Sequence, residues 1–170
     1  NYDVKICKKY IDHTSINIIY TGKQIFSQNV EDDRKTPRKF ECIDKNIRNM
    51  HFFTEFLKHS VHLTINNSDI IPENLELSVH QIRQICYPFI DSHNSPEGIH
   101  KDGSDFLITA YVINRSNIIG GESMIYDEDK KLIYKKILHS DNGIFQDDKN
   151  LYHYVTPIQS IDNYIGFRDI

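Results

Sequence analysis

The sequence lacks the features that mark several common classes of protein. Its three cysteines, Cys7, Cys42 and Cys86, are odd in number and far apart, so they indicate neither a disulfide framework nor a CxxC-type zinc site. No apolar run approaches the roughly 18 residues of a membrane span, and no signal-peptide pattern is present. We therefore expect a cytoplasmic protein with no membrane partner.

Positive charge is not in excess either. The 20 Lys and Arg residues are outnumbered by 24 Asp and Glu residues, and the net charge is −4. Such a chain presents no general basic field, so we expect no nucleic-acid partner. The basic run at residues 34–39 is interpreted as part of a solvated loop rather than a binding patch.

Internal repeats and low-complexity linkers are also missing, so residues 1–170 are predicted to form a single domain. The chain starts without a methionine and stops inside a predicted strand. We expect either a fragment, a processed chain, or further residues at the ends. The sequence says nothing about the oligomeric state.

Apolar spacing predicts one clear helix, which has Asp44 as its N-cap and runs to about Lys58. A short strand is predicted at 16–20. After residue 60 the patterns are those of strands, at 61–65, 77–87, 105–114, 122–126, 132–138, 151–155 and 164–170. The absence of helical patterns between these strands excludes a parallel βαβ fold. We expect an α+β protein in which residues 1–76 support a jelly-roll core at 77–170.

The pair His100-x-Asp102 is the first candidate site. On an extended strand, residues two apart project to the same face, and a further histidine would complete a two-His-one-carboxylate iron site. With nine histidines and sixteen aspartates, chance alone predicts about one such pair. A second pair, His139 and Asp141, is interpreted as a strand end and a turn because Asn142-Gly143 follows it.

Two residues downstream extend this pattern. His153 alternates with apolar neighbours in a predicted strand, and Arg168 alternates with Phe167 in the last one. An arginine that points inward is costly unless an anion meets it. The anion is either a ligand or an internal carboxylate such as Asp105 or Asp169.

The order His-x-Asp, Gly-Gly-Glu, His, Arg resembles that of the Fe(II)/2-oxoglutarate-dependent dioxygenases. The residues around these positions are most similar to those of the 2OG-Fe dioxygenase family, which includes bacterial hydroxylases of free L-isoleucine and related amino acids. Four blocks carry this resemblance, at residues 96–106 (PEGIHKDGSDF), 113–127 (INRSNIIGGESMIYD), 153–158 (HYVTPI) and 166–169 (GFRD). They lie within residues 77–170.

The resemblance implies a double-stranded β-helix, which is a cupin-like jelly roll, with Fe(II), 2-oxoglutarate and O₂ as cofactor and cosubstrates. It implies that His100, Asp102 and His153 bind the iron and that Arg168 binds the distal carboxylate of 2-oxoglutarate. Thr156 either adds a hydroxyl to that carboxylate or simply ends a strand before a proline. The implied substrate is a small molecule, a free aliphatic L-amino acid, hydroxylated with release of succinate and CO₂.

Several alternatives stay open at this stage. Asp105 either orients a ligand histidine or lies on the surface, and His80 and Arg83 either meet a substrate carboxylate or face solvent. Tyr111 either lines the pocket or belongs to the core. The alternative functions are a catalytically silent jelly roll that binds a metal or small ligand, and a cupin-like metalloenzyme that uses no 2-oxoglutarate.

Overall fold

The computed structural model describes residues 2–9, 13–26, 38–39, 41–69, 72–110, 114–140 and 142–170. These residues form mostly β-strands with few helices. They divide into two compact units, and the division lies between His80 and Gln81. The single domain expected from the sequence stays a prediction.

The first unit contains a three-stranded antiparallel sheet beside two helices. Its strands are β1 (Tyr2–Lys9), β2 (His13–Tyr20) and β5 (Asn74–Leu77), in the order β2-β1-β5. The short strands β3 (Ile25–Phe26) and β4 (Arg38–Lys39) pair with each other. The helices are α1 (Lys45–Arg48) and α2 (His51–Asn66). The loop predicted around Pro37 lies outside the described residues, apart from β4.

The helix prediction is confirmed at its start and wrong at its end. The Asp44 carboxylate caps α1 by accepting a hydrogen bond from the Asn46 backbone N–H at 2.7 Å. After a break at residues 49–50, α2 continues to Asn66, so the strand predicted at 61–65 is wrong. Val61 and Ile65 alternate with polar residues as in a strand, but both are buried and extend the four-residue spacing of α2.

The buried face of α2 explains this outcome. Val61 and Ile65 pack against Ile18 of β2 and against Leu75 and Leu77 of β5. Burial of a helix face against a sheet outweighs the local alternation, because tertiary packing supplies most helical stability. No helix in the described part of the chain is long and apolar enough to cross a membrane.

The second unit is built from small antiparallel sheets. Its strands are β6 (Arg83–Cys86), β7 (Phe106–Ala110), β8 (Asn114–Ser116), β9 (Ile118–Gly120), β10 (Glu122–Tyr126), β11 (Leu132–Ile137), β12 (Gly143–Asp147), β13 (Tyr152–Val155), β14 (Ile158–Ser160) and β15 (Gly166–Asp169). Their sheets have the orders β11-β10-β13, β12-β7, β14-β9 and β6-β15-β8. This arrangement is consistent with a β-sandwich or jelly-roll-like fold, and the double-stranded β-helix stays a prediction.

Most predicted strands of this unit are found, with some changes. The strand at 122–126 is confirmed as β10. The strand at 77–87 is interrupted, since β5 ends at Leu77 and β6 begins at Arg83. The predicted strand at 105–114 is described as far as Ala110, and Tyr111 lies outside the described residues. The turn predicted at 117–121 contains β9, which pairs with β14.

Two strand pairings position the functional side chains. In β6-β15-β8, Arg168 lies directly opposite Gln84 on one side and Arg115 on the other. In β10-β13, His153 lies opposite Ile125. A buried cluster of Cys86, Ile118 and Ile158 packs β6, β9 and β14 together beneath β15.

Candidate active site

His100 and His153 form an isolated β-bridge outside the longer strands. The two residues exchange backbone hydrogen bonds of 3.0 and 2.9 Å. Gly98 and Gly103, with φ of 81° and 80°, flank the bridge and break the extended backbone on both sides. The bridge, rather than alternation along a strand, brings the imidazoles together.

The side chains of His100, Asp102 and His153 converge. Their potential ligand atoms lie within 4.8 Å of one another. Asp102 Oδ1 is 3.4 Å from His100 Nε2 and 3.9 Å from His153 Nε2. Two imidazoles and one carboxylate are the donor set that suits a non-haem Fe(II) with open coordination positions, so these three residues could bind iron.

The second nitrogen of each imidazole is already engaged. His100 Nδ1 lies 2.8 Å from the Gly98 carbonyl oxygen, which can only accept, so Nδ1 carries the proton. His153 Nδ1 lies 3.2 Å from the amide nitrogen of Gln146, and Asp148 Oδ1 is 3.6 Å away, beyond hydrogen-bond distance. Both rings turn Nε2 toward the Asp102 carboxylate, which is the side on which a metal would bind.

Glu97 also belongs to this site, although sequence reasoning did not select it. Its Oε1 lies 2.9 Å from His100 Nε2. Burial, the largest influence, lowers the pKa of His100, but the hydrogen bonds to Asp102 and the Gly98 carbonyl, with the charges of Glu97 and Asp102, raise it overall. A metal that binds at Nε2 would replace the proton that these groups favour.

Asp148, rather than Asp105, is the aspartate that lies beside the candidate ligand His153, with its Oδ1 3.6 Å from Nδ1. Asp148 is 1% exposed, and its Oδ2 accepts a hydrogen bond from the Ser104 backbone N–H at 3.0 Å. The Asp105 carboxylate is exposed and pairs with Lys149 Nζ at 2.6 Å. Asp105 therefore lies on the surface, which was one of the two alternatives for it. Asp147 and Asp148 look alike in the sequence, and only the turn after β12 decides which one faces His153.

Arg168 is buried, with only 1% of its surface exposed. Its Nε donates to Gln84 Oε1 at 2.8 Å and its Nη1 to the Gly121 carbonyl at 3.2 Å. Its Nη2 is buried and has no hydrogen-bond partner among the described residues. A buried donor of this kind is expensive to leave unsatisfied, and a ligand carboxylate would satisfy it.

The internal ion pair considered for Arg168 is not formed. Asp169 accepts hydrogen bonds from Arg83, at 2.6 Å from Nε and 2.8 Å from Nη2. Burial, and secondarily the charge of Arg115, lowers the pKa of Arg168 to about 10. That depression corresponds to an unfavourable free energy of about 3 kcal/mol for the charged guanidinium without an anion.

The remaining sequence candidates have different surroundings. The Thr156 hydroxyl accepts a hydrogen bond from the Glu122 backbone N–H at 2.9 Å and keeps its own proton for a second acceptor. Arg83 is exposed and pairs with Asp169, which agrees with the solvent-facing alternative given for it above. Gly120 and Gly121 have φ of 77° and 67°, and a side chain at Gly120 would meet the Pro157 carbonyl.

Solved structures show that the fold is shared with known proteins. The fold is similar to that of a bsmA homolog from Methylobium petroleophilum PM1, with a TM-score of 0.74 and 17% identity over 91% of this chain and 64% of the other. It is also similar to IDO from Bacillus thuringiensis, with a TM-score of 0.74 and 20% identity over 99% of this chain and 70% of that one. The chain thus spans about two thirds of the length of these proteins. At such identities the likeness establishes the fold alone.

Sequence comparison gives the family. No curated protein matches the chain. A family model described as 2OG-Fe dioxygenase matches residues 7–170, which include every residue of the candidate site. The chain belongs to the 2OG-Fe dioxygenase family.

Proposed function

We propose that the protein hydroxylates a free aliphatic L-amino acid, using Fe(II), 2-oxoglutarate and O₂ and releasing succinate and CO₂. The observation that carries the proposal is the convergence of His100, Asp102 and His153, whose ligand atoms lie within 4.8 Å of one another. Family membership supports the cofactor and the cosubstrates.

In this proposal the three side chains hold the metal from one side. His100 and His153 contribute Nε2, and Asp102 contributes a carboxylate oxygen. With neutral imidazoles, the three ligands would offset one of the two positive charges of Fe(II), and they would leave coordination positions open for 2-oxoglutarate and O₂. When bound, Fe(II) and 2-oxoglutarate supply the oxidising chemistry, and the protein's residues supply binding and orientation.

Arg168 is proposed to bind the distal carboxylate of 2-oxoglutarate. Its free Nη2 is a charge-assisted donor in a buried site, where such a hydrogen bond is strongest. Thr156 is proposed to add its hydroxyl proton to the same carboxylate. This role is compatible with its existing bond, because the hydroxyl oxygen accepts from Glu122 while its proton stays available.

The substrate class rests only on the resemblance of the four sequence blocks to the family that includes amino acid hydroxylases. The cytoplasmic location, and the absence of nucleic-acid and membrane partners, rest on the cysteine content, the charge and the hydropathy pattern. The chain spans 64% of the length of one structural relative, so the substrate and activity of the whole protein are part of this proposal.

Succinate formation tests the proposal. The protein is reconstituted anaerobically with Fe(II), mixed with O₂ and 2-oxoglutarate, and offered a panel of aliphatic, charged and aromatic free amino acids. We expect succinate and a product 16 mass units heavier with one or more aliphatic amino acids, and neither with His153→Ala. The mass increase is about 16 because one oxygen atom enters the substrate.

The two alternatives give different results. Iron binding without succinate from any substrate would support a silent metal-binding protein and overturn the proposal. Oxygen consumption that does not depend on 2-oxoglutarate would support a cupin-like enzyme.

A further inference from the structure

Arg115 and Arg168 form a pair of guanidinium groups in the second unit. Their residues lie directly opposite each other on the antiparallel strands β8 and β15. A Cβ added at Gly121 would lie 2.9 Å from Arg168 Nη1 and 3.1 Å from Arg115 Nη1, so both groups reach the backbone of Gly121. Like charges at directly opposite positions repel, and the repulsion is stronger in a buried site.

No carboxylate neutralises this pair among the described residues. Asp169, the carboxylate next to Arg168 in the sequence, pairs instead with the exposed Arg83 of β6. Arg115 donates from Nη2 to the Gly120 carbonyl at 2.6 Å, while its Nη1 is buried and has no partner in the described part of the chain. Each of the two guanidiniums therefore keeps one buried nitrogen without an acceptor.

We propose that Arg115 is a second binding residue for the distal carboxylate of 2-oxoglutarate, acting together with Arg168. This inference rests on the proposed function. The two free nitrogens, Arg168 Nη2 and Arg115 Nη1, can each donate to one carboxylate, whose two oxygens provide about four acceptor sites. The anion also offsets the repulsion between the two cations.

Gln84 completes the site as a positioning residue. Its Oε1 accepts from Arg168 Nε, and its Nε2 donates to the Ser92 carbonyl at 2.7 Å. The amide thus orients the guanidinium of Arg168 through its Nε–H without adding negative charge. A glutamate at this position would neutralise Arg168 internally, so the neutral amide leaves the positive charge for a ligand.

A purely structural role is the competing explanation for Arg115. Through Gly120 it holds the turn that precedes β10, and loss of that bond would disturb the site in general. The two roles differ in their ligand dependence. A disturbed turn would weaken the binding of every 2-oxo acid, whereas a lost carboxylate contact would weaken the binding of only those acids that have a distal carboxylate.

The test is equilibrium binding by calorimetry, without O₂ and without turnover, using the full chain loaded with Mn(II). The ligands are 2-oxoglutarate and 2-oxovalerate, which has the same five-carbon chain but lacks the distal carboxylate. The variants are Arg115→Gln and Arg115→Lys, with Arg83→Gln as the matched control, because Arg83 lies on the neighbouring strand and faces solvent.

We expect Arg115→Gln to weaken 2-oxoglutarate binding by about 10- to 100-fold, the usual effect of losing one hydrogen bond to a charged group. Binding of 2-oxovalerate should change by less than about twofold, and Arg83→Gln should match the wild type. Arg115→Lys keeps the charge and should show a smaller loss. If Arg115→Gln does not fold, as judged by its circular dichroism, the comparison rests on Arg115→Lys.

Two results overturn the inference alone. These are wild-type affinity for 2-oxoglutarate in both Arg115 variants, or an equal loss for the two ligands. Failure of the wild-type protein to bind 2-oxoglutarate at all would instead overturn the proposed function and this inference with it.

Discussion

His100 and His153 exchange two backbone hydrogen bonds, of 3.0 and 2.9 Å, and their imidazole rings lie 4.2 Å apart between centroids. The backbone bridge holds the two main-chain segments together independently of either side chain. Substitution of one ring should therefore leave the other in place. This makes single substitutions in the site interpretable as the loss of a ligand.

His153→Ala should remove one of the three candidate metal ligands. We expect affinity for Fe(II) or Mn(II) to fall by more than about 100-fold, since even residues that only support a ligand contribute 10- to 100-fold. His139→Ala is the control, because His139 is exposed and belongs to the chance His-x-Asp pair. The measurement is anaerobic metal titration by calorimetry. Equal metal affinities in the two variants would show that His153 is not a metal ligand.

Asp148→Asn should weaken metal binding by about 10- to 100-fold, because the buried carboxylate lies 3.6 Å from His153 Nδ1 and its charge would favour a proton on Nδ1 when Nε2 binds a metal. Asp105→Asn is the matched control on the surface, where its partner is Lys149. Metal titrations of both variants at the same pH make the comparison. A greater effect of the Asp105 change would reverse the assignment.

Gly120→Ala should destabilise the protein more than Gly98→Ala. Both glycines have positive φ, so both substitutions incur about 1–2 kcal/mol of backbone strain. A Cβ at Gly98 meets nothing within 4 Å, whereas one at Gly120 meets the carbonyl of Pro157, which cannot move as a side chain can. Urea denaturation gives the two free energies of unfolding. Similar free energies of unfolding for the two variants would show that the β9-β14 region shifts to make room for the added Cβ.

Metal affinity and stability should respond to pH in opposite directions. The pKa of His100 is raised in the folded protein, so protonation of this ring stabilises the metal-free protein. This stabilisation is fully present below about pH 6.5 and is lost as the pH rises through the folded-state pKa. Metal competes with the same proton, so affinity should rise across that window. Glu97→Gln removes one charge that raises the pKa and should move both transitions to lower pH.

Thermal melts of the metal-free protein and metal titrations across the same pH series provide the measurements. Transitions that do not move in Glu97→Gln would show that the charge of Glu97 does not act on His100.

Sequence patterns located most strands of the second unit and failed where packing decides. Alternating apolar residues predicted a strand at 61–65, but Val61 and Ile65 belong to α2 because their side chains are buried against a sheet. The strand predicted through Ser78 is interrupted because β5 and β6 pair within different sheets. Local periodicity contains no information about which sheet a segment joins.

The sequence by itself determined the residues of the candidate site that carry distinctive chemistry. His100, Asp102, His153 and Arg168 were selected by their order in the sequence and its resemblance to a family, and the structure places the first three together and buries the fourth. Only the tertiary structure decided their surroundings. Asp148 faces His153 because of a turn after β12, and Arg115 faces Arg168 because β8 and β15 pair in one particular register. Turn direction and strand register depend on long-range packing, and the spacing of residues along a chain does not encode them.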